Sequence, residues 1–292
     1  MYKYAVFTKK NITLHCKLTF NTHNLMFSKE TYIQRRNVLR ELVGNGVIVL
    51  FGNNESPCNY PNNGYSPFRQ DSSFLYYFGI QEIGLIGVID CESGEEWLLG
   101  NDVDVEDIVW YGSVPTISDL AASVGVKNSA PWKKIEDIVS DAKKTQRKIH
   151  FLPPYRHDIM IQIMDLMSIH PYAQREAASM ELINAVIKMR SVKTAEEIED
   201  DLILNDVDVQ SVDAEEGTVV VQVTPADLNK ARTILRNDFA LTDDSFTTSE
   251  VTYVPSGDYV HVSDEDKAKV QNLVDSLNDI EDVQAVYHNA DR

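Results

Sequence analysis

The side chains of this 292-residue sequence that could do chemistry are scattered rather than gathered. His150, His157 and His170 come nearest to a metal-binding series. Pro153-Pro154 breaks the chain between the first two, and the spacings do not match the i, i+4 pattern by which one helix face presents two imidazoles. A metal centre needs close ligands braced by further hydrogen bonds, so Arg156 and His157 are expected to cap or pair locally. Ser72 and Ser73 have no recognisable base and no G-x-S-x-G turn to raise a nucleophile. Asp206/Asp208 and Asp243/Asp244 lack the loop that gathers oxygen ligands around calcium, and read as solvated acids. Lys230, Arg232 and Arg236 fall on one expected helix, where Arg232 and Arg236 at i, i+4 could touch RNA. Cys16, Cys58 and Cys91 are odd in number and lack metal-site spacing. They argue against a disulfide framework and for a reducing, cytoplasmic compartment, with Cys58 and Cys91 read as free structural thiols.

Charge narrows the partners. The net charge is −18, and it is uneven. Residues 1–199 carry 21 Lys and Arg against 24 Asp and Glu, whereas residues 200–292 carry 6 against 21, or −15. Phosphate binding is driven by Lys and Arg, so a ribosome or nucleic-acid partner is disfavoured for the second segment. Lys230, Arg232 and Arg236 then read as a solvated surface face. The length suits two domains, and the step in charge marks where they differ. No apolar run approaches the ~18 residues of a membrane span, so no membrane partner is expected. Residues 1–25 have no continuous apolar core of the signal-peptide kind, and read as an extension expected to be disordered.

The elements that would position these side chains follow from periodicity. Ser28 suits the N-cap of a helix reaching about Val43, with Tyr32, Leu39 and Val43 as its apolar stripe and Leu42 beside them. Val47–Phe51 is a continuous β-branched and aromatic run, expected as a strand buried on both faces. A polar loop, Gly52–Gly64, leads to YSPFRQDSSFLYYFG at Tyr65–Gly79. Its aromatic run reads from physics alone as a buried strand after a turn. Leu85–Asp90 and Glu96–Leu99, joined through Gly94, predict a hairpin. Helices are expected near Ile117–Val124, Trp132–Lys144, Asp158–Ser168 and Gln174–Lys188, with a short strand at Ile149–Leu152. Strands alternating with helices predict an α/β layer arrangement. Thr194-Ala195-Glu196-Glu197 has capping-box spacing. Beyond it, Thr218–Val223 reads as a strand, and Thr224 with Pro225 as a helix start. Ser263 reads as the cap of a helix with Val270, Leu273, Val274 and Leu277 buried. Val283–Tyr287 reads as a half-buried strand.

FRQDSSFLYYFG resembles a long and specific pattern of the N-terminal domain of aminopeptidase P, the Xaa-Pro aminopeptidases. Arg69, Gln70, Asp71, Phe74, Tyr77 and Gly79 stand among its positions, and the resemblance runs in order from Met26 to about Glu199. It implies a mixed sheet flanked by helices, the creatinase N-terminal type. The family is a dimetal, usually manganese-dependent, hydrolase whose two Asp, one His and two Glu ligands lie in a domain that follows this one. No such set is recognisable in residues 200–292, so neither a cofactor nor peptidase activity is expected of this chain. Trp110, in Ile108–Gly112, matches a family position that reaches toward a neighbouring subunit's active site. It would act only in trans, on a full-length aminopeptidase partner; a core or interface aromatic is the equal alternative.

Residues 200–292 resemble the C-terminal part of the YebC/PmpR family, discussed as transcriptional or translational regulators. The matching pieces are Asp200–Leu204, Thr218–Leu228, Glu250–Pro255 and the ending Glu281–Asp291. They imply a small α+β, ferredoxin-like domain. The expected organisation is therefore an extension at 1–25, an aminopeptidase P N-terminal domain at 26–199 and a YebC-like fragment at 200–292. Its expected function is that of an oligomerisation or modulatory module without catalysis. The alternatives are a YebC-like regulator or a non-natural fusion of two gene fragments.

Overall fold

The computed structural model describes residues 26–58, 68–103, 108–109, 114–215, 218–239, 241–253 and 260–290. These fall into two compact units that divide between Val192 and Lys193.

The first unit is built on five strands: β1 (Val47–Phe51), β2 (Ile86–Asp90), β3 (Glu96–Leu99), β4 (Asn128–Ala130) and β5 (Ile149–His150). Their order is β4-β3-β2-β1-β5. β2 runs antiparallel to β1 and β3, while β4 and β5 pair in parallel with β3 and β1, so the sheet is mixed. Strand side chains alternate between faces, and both faces here are covered. Ile48 and Leu50 enter one core with α1 (Lys29–Val43), α2 (Ser72–Phe78), α3 (Ile117–Ser123) and α7 (Met180–Arg190). Val47 and Val49 enter the other core with α4 (Lys134–Lys144). Beside them Phe151 packs with Ile159 and Ile163 of α5 (His157–Met167). This is the helix-flanked mixed sheet expected from the sequence.

α1 starts where Ser28 caps it, accepting from Thr31 N–H at 3.2 Å. Tyr32, Leu39 and Val43 are buried as the stripe predicts, but Leu42 is 37 % exposed. The places beside the stripe go instead to Arg35 and Arg36, both buried.

Two expectations for this unit need correction, and one strand was not expected. The aromatic run is the helix α2, not a strand. Phe74, Tyr77 and Phe78 are spaced i, i+3, i+4, which puts all three rings on one helical face, and all are buried. The expected helix Gln174–Lys188 is two, α6 (Pro171–Ala177) and α7, because Ala178 is extended and Ser179 starts a new helix by accepting from Leu182 N–H. β4 had no pattern to reveal it: Asn128 and Ser129 are polar, and the strand exists through its pairing with Trp97–Leu99.

The second unit contains α8 (Ala195–Leu204), β6 (Val209–Glu215), β7 (Thr218–Val223), α9 (Leu228–Asp238) and α10 (Asp264–Asn278), with one short 3-10 turn at Asp243–Ser245. Thr194 and Glu197 form the full capping box. Ile198 and Leu202 of α8 share a core with Val207 and Ala231 of α9, against one face of the antiparallel β6–β7 pair. α9 begins at Leu228 rather than at Pro225, which lies in the turn before it; there Thr224 donates its hydroxyl to Asp227. The expected buried stripe of α10 is not buried: Leu273 is 60 % exposed, and Val270, Val274 and Leu277 are half-buried. Val283–Tyr287 forms no strand, because no described strand runs beside it. No helix of the described residues is long and apolar enough to cross a membrane.

Candidate functional site

The motif residues meet at the start of α2, where three loops converge. Gln70 is buried and uses both ends of its amide. Its Oε1 accepts from Asn53 N–H at 2.5 Å and from Asp71 N–H at 2.8 Å. Its Nε2 donates to the carbonyls of Glu82 at 2.6 Å and Ile80 at 3.5 Å. One side chain thus ties the loop after β1 to the segments on both sides of α2. A buried amide needs such partners, since an unpaired one costs ~1–3 kcal/mol. Asn53 returns a bond from its Nδ2 to the Arg69 carbonyl at 2.9 Å.

Asp71 is the N-cap of α2, its Oδ1 accepting from Ser73 and Phe74 N–H, each at 2.9 Å. Its Oδ2 accepts from the Tyr155 hydroxyl at 3.0 Å. That hydroxyl also lies 3.3 Å from Asn53 Oδ1, and burial pushes its pKa up. At the other end of the helix Gly79 takes the left-handed conformation at φ 66°, and the Tyr32 ring occupies the space a Cβ would need. No residue but glycine meets both demands. Phe74 stacks on Phe78 at 5.2 Å. Arg69 is exposed. A depression of about 40 Å³ lies beside the motif, lined by Asn53, Asp71, Pro154 and Tyr155 among others.

Two arginines missed as structural residues hold α2 to α1. Arg36 is fully buried and donates to Glu96 Oε2 at 2.9 Å, the Tyr77 carbonyl at 3.0 Å and the Val124 carbonyl at 2.8 Å. Burial lowers its pKa, against the pull of Glu96. Arg35 stacks between the rings of Phe27 and Tyr76, at 4.2 and 4.1 Å. Their only sequence signal was position: both fall beside the apolar stripe of α1.

The scattered candidates stay apart. His150 is buried at the end of β5 with both ring nitrogens in use, Nε2 2.9 Å from the Asn45 carbonyl and Nδ1 2.6 Å from Ser179 Oγ. A carbonyl only accepts, so this pattern assigns the proton to Nε2. His157 is the first residue of α5, and His170 lies against Tyr172. Arg156 does pair locally, with Asp158 at 3.1 Å and Ser56 at 2.8 Å. The Ser72 and Ser73 hydroxyls lie 3.4 Å from an Arg190 nitrogen. Lys230 donates to the Asp206 carbonyl, and Arg232 sits over the Phe246 ring. Cys58 and Cys91 are free thiols; Cys91 is buried, and burial raises its pKa to about 11. Cys16 and Trp110 lie outside the described residues. Among the described residues, no three or more His, Cys, Asp or Glu are grouped to hold a metal ion.

Comparison with known proteins matches this two-part plan. Residues 32–150 match the family model described as the aminopeptidase P N-terminal domain, and residues 182–290 match the TACO1/YebC second and third domain. Both resemblances seen in the sequence are thus shown, one in each half of the chain. The second match begins inside α7, whose Leu182, Ala185 and Val186 sit in the core of the first unit. A curated relative, a probable transcriptional regulatory protein of Mesoplasma florum, is 37 % identical over 99 residues, covering 34 % of this chain and 40 % of its own. Two solved structures share the fold at 18 % identity and a TM-score of 0.50. They are a putative aminopeptidase P from Bacillus anthracis and the zinc-substituted Escherichia coli aminopeptidase P in complex with product. Each covers 62 % of this chain, which spans 44 % and 42 % of theirs. The chain thus spans less than half the length of these relatives.

Proposed function

We propose that the aminopeptidase P-type unit of this chain is a non-catalytic module that oligomerises with, or modulates, a full-length aminopeptidase. The observation that carries this reading is how the motif spends its polar groups. Gln70 and the Asp71 carboxylate are committed to holding α2 and its flanking loops, which is scaffold work. A dimetal hydrolase needs clustered oxygen and imidazole ligands that activate a bridging water. The described residues do not fit such a centre: the one buried histidine has both nitrogens engaged. No step is therefore assigned to manganese, and no cleavage of Xaa-Pro bonds to this chain. Trp110 is the residue proposed to reach a partner's site in trans. The free thiols favour a cytoplasmic setting.

The test pairs activity with assembly. The purified chain is given a Xaa-Pro peptide with manganese, then mixed with full-length aminopeptidase P and weighed by native mass spectrometry. No turnover by the chain alone, with mixed oligomers that Trp110→Ala weakens, is the expected result. Turnover that co-purifies with the chain through every step would overturn the reading.

A second reading rests on the Mesoplasma relative, whose name is that of a probable transcriptional regulator. Here the second unit would carry the activity on nucleic acid or the ribosome. Its −15 charge opposes this. Salt-sensitive co-sedimentation with RNA or ribosomes would favour the second reading over the first. A fusion of two gene fragments is the remaining alternative; failure to amplify the codons for Thr194–Asp206 as one continuous DNA would favour it.

A further inference from the structure

The two strands of the second unit have unequal outer edges. β6 is guarded: it carries Asp213 and Glu215, and its extra residue Gln210 makes a bulge between Val209 and Ser211. Charges and bulges of this kind turn away a further strand. β7 has no such guard. Its six residues, Thr218–Val223, include no charge, no proline and no glycine. They pair with β6 residue for residue from Thr218 opposite Glu215 to Gln222 opposite Ser211. Among the described residues nothing pairs with the other side of β7. A row of unpaired backbone N–H and C=O groups is a template for another strand. Val219 and Val220, both apolar, are 42 % and 39 % exposed on it.

The two faces of the pair say what the third strand must carry. Val221 and Val223 pack on the core shared with α8 and α9, and strand alternation puts Val219 on that side. Val220 lies on the other side, opposite Asp213. Asp213 is exposed, and among the described residues no cation pairs with it. A strand along the free edge of β7 would lie two interstrand spacings, about 10 Å, from β6. A lysine or arginine opposite Val220 spans most of that gap and brings its charge toward Asp213. The −15 of residues 200–292 attracts such a cation, whereas a second copy would bring the same −15 and be repelled. We propose that β7 is the docking edge for an extended, basic segment of a partner protein. The segment adds a third strand, with apolar side chains on the side of α8 and α9 and cationic ones over Val220.

The proposal is independent of the peptidase reading, and its test reads no peptidase activity. The full chain is mixed at low salt with a capped hexapeptide that alternates lysine and valine. Hydrogen exchange across 218–223 is expected to slow by about ten-fold or more, with β1–β3 unchanged. A glutamate–valine hexapeptide should have no effect. Nor should the lysine peptide with its central valine replaced by proline, which has no N–H to give a ladder. Val220→Lys is expected to weaken binding of the lysine peptide by about ten-fold through like-charge repulsion, and Val220→Glu is not. Exchange in α8 checks that both variants fold. No slowing at 218–223, equal slowing with the proline peptide, or equal loss in the two variants overturns the proposal. Two further outcomes also overturn it. Slowing by oligouridylate and not by the peptide makes RNA the occupant. Slowing that needs no peptide and grows with protein concentration makes it a second copy.

Discussion

Gln70 shows how one side chain can stand in for a stretch of regular structure. The backbone groups of Asn53, Asp71 and Glu82 lie in loops with no ladder to satisfy them, and a single amide pairs with all three. Gln70→Ala leaves these buried groups without partners and is expected to cost about 2–4 kcal/mol. The check is the denaturant midpoint of the first unit; a shift within error of zero would mean water replaces the amide without loss. The motif was legible as a resemblance, whereas its role was not. Nothing in Phe68–Gly79 announces that Gln70 points inward, because its partners include Asn53 and Glu82, outside the motif. Arg36 hid for the same reason: its three acceptors come from three separate segments.

At the scale of elements, patterns carried by single segments were readable and those made by tertiary pairing were not. The buried run of β1, the β2–β3 hairpin and the caps at Ser28, Thr194 and Ser263 all form where the local rules put them. The aromatic run was read as a strand because large apolar residues in a short stretch fit both periods. The Asp71 cap and left-handed Gly79, seven helical residues apart, were the signal that separates the two. β4 and the break before α7 depend on neighbours. That break also places a titratable contact between elements, where His150 of β5 meets Ser179, the cap of α7. Ser179 has one proton for two acceptors, His150 Nδ1 and Glu181 Oε2 at 3.0 Å. Burial holds the His150 pKa below its ordinary value, opposed by the Asn45 carbonyl; Lys148 lowers it further, while Glu181 and Glu92 raise it. The folded state therefore prefers neutral imidazole. The contact's stability is fully present above the unfolded pKa of about 6.5 and is lost as pH falls through the lower, folded value. The first unit's urea midpoint should fall between about pH 7.5 and 5, and fall less in His150→Gln. A wild-type midpoint that is flat across that window would sink the assignment.

For the whole molecule, the two units answer differently to solvent. The sheet-based unit has two well-filled faces and near-balanced charge. The −15 of residues 200–292 falls on a unit whose hydrophobic core, among the described residues, is smaller. Self-repulsion of that kind is long-ranged at low salt, where the Debye length is about 30 Å, and short-ranged at physiological salt, at about 8 Å. Raising salt from ~10 mM to ~150 mM is therefore expected to raise the melting temperature of the second unit more than that of the first. Scanning calorimetry, with exchange data to assign each transition, would show it; equal shifts would mean the acids are already neutralised by local partners. The charge step was legible in composition; the stripe of α10 says which residues could be buried and not whether a partner is there, and without the sheet partners that its resemblance implies, that side is left exposed. Within the first unit, α7 packs against α1, placing Leu182, Ala185 and Val186 in the same core as Leu39 and Val43. The first and last helices of that unit thus close on each other. In a domain closed this way, loosening either end helix exposes the same core, so both are expected to open together in hydrogen exchange.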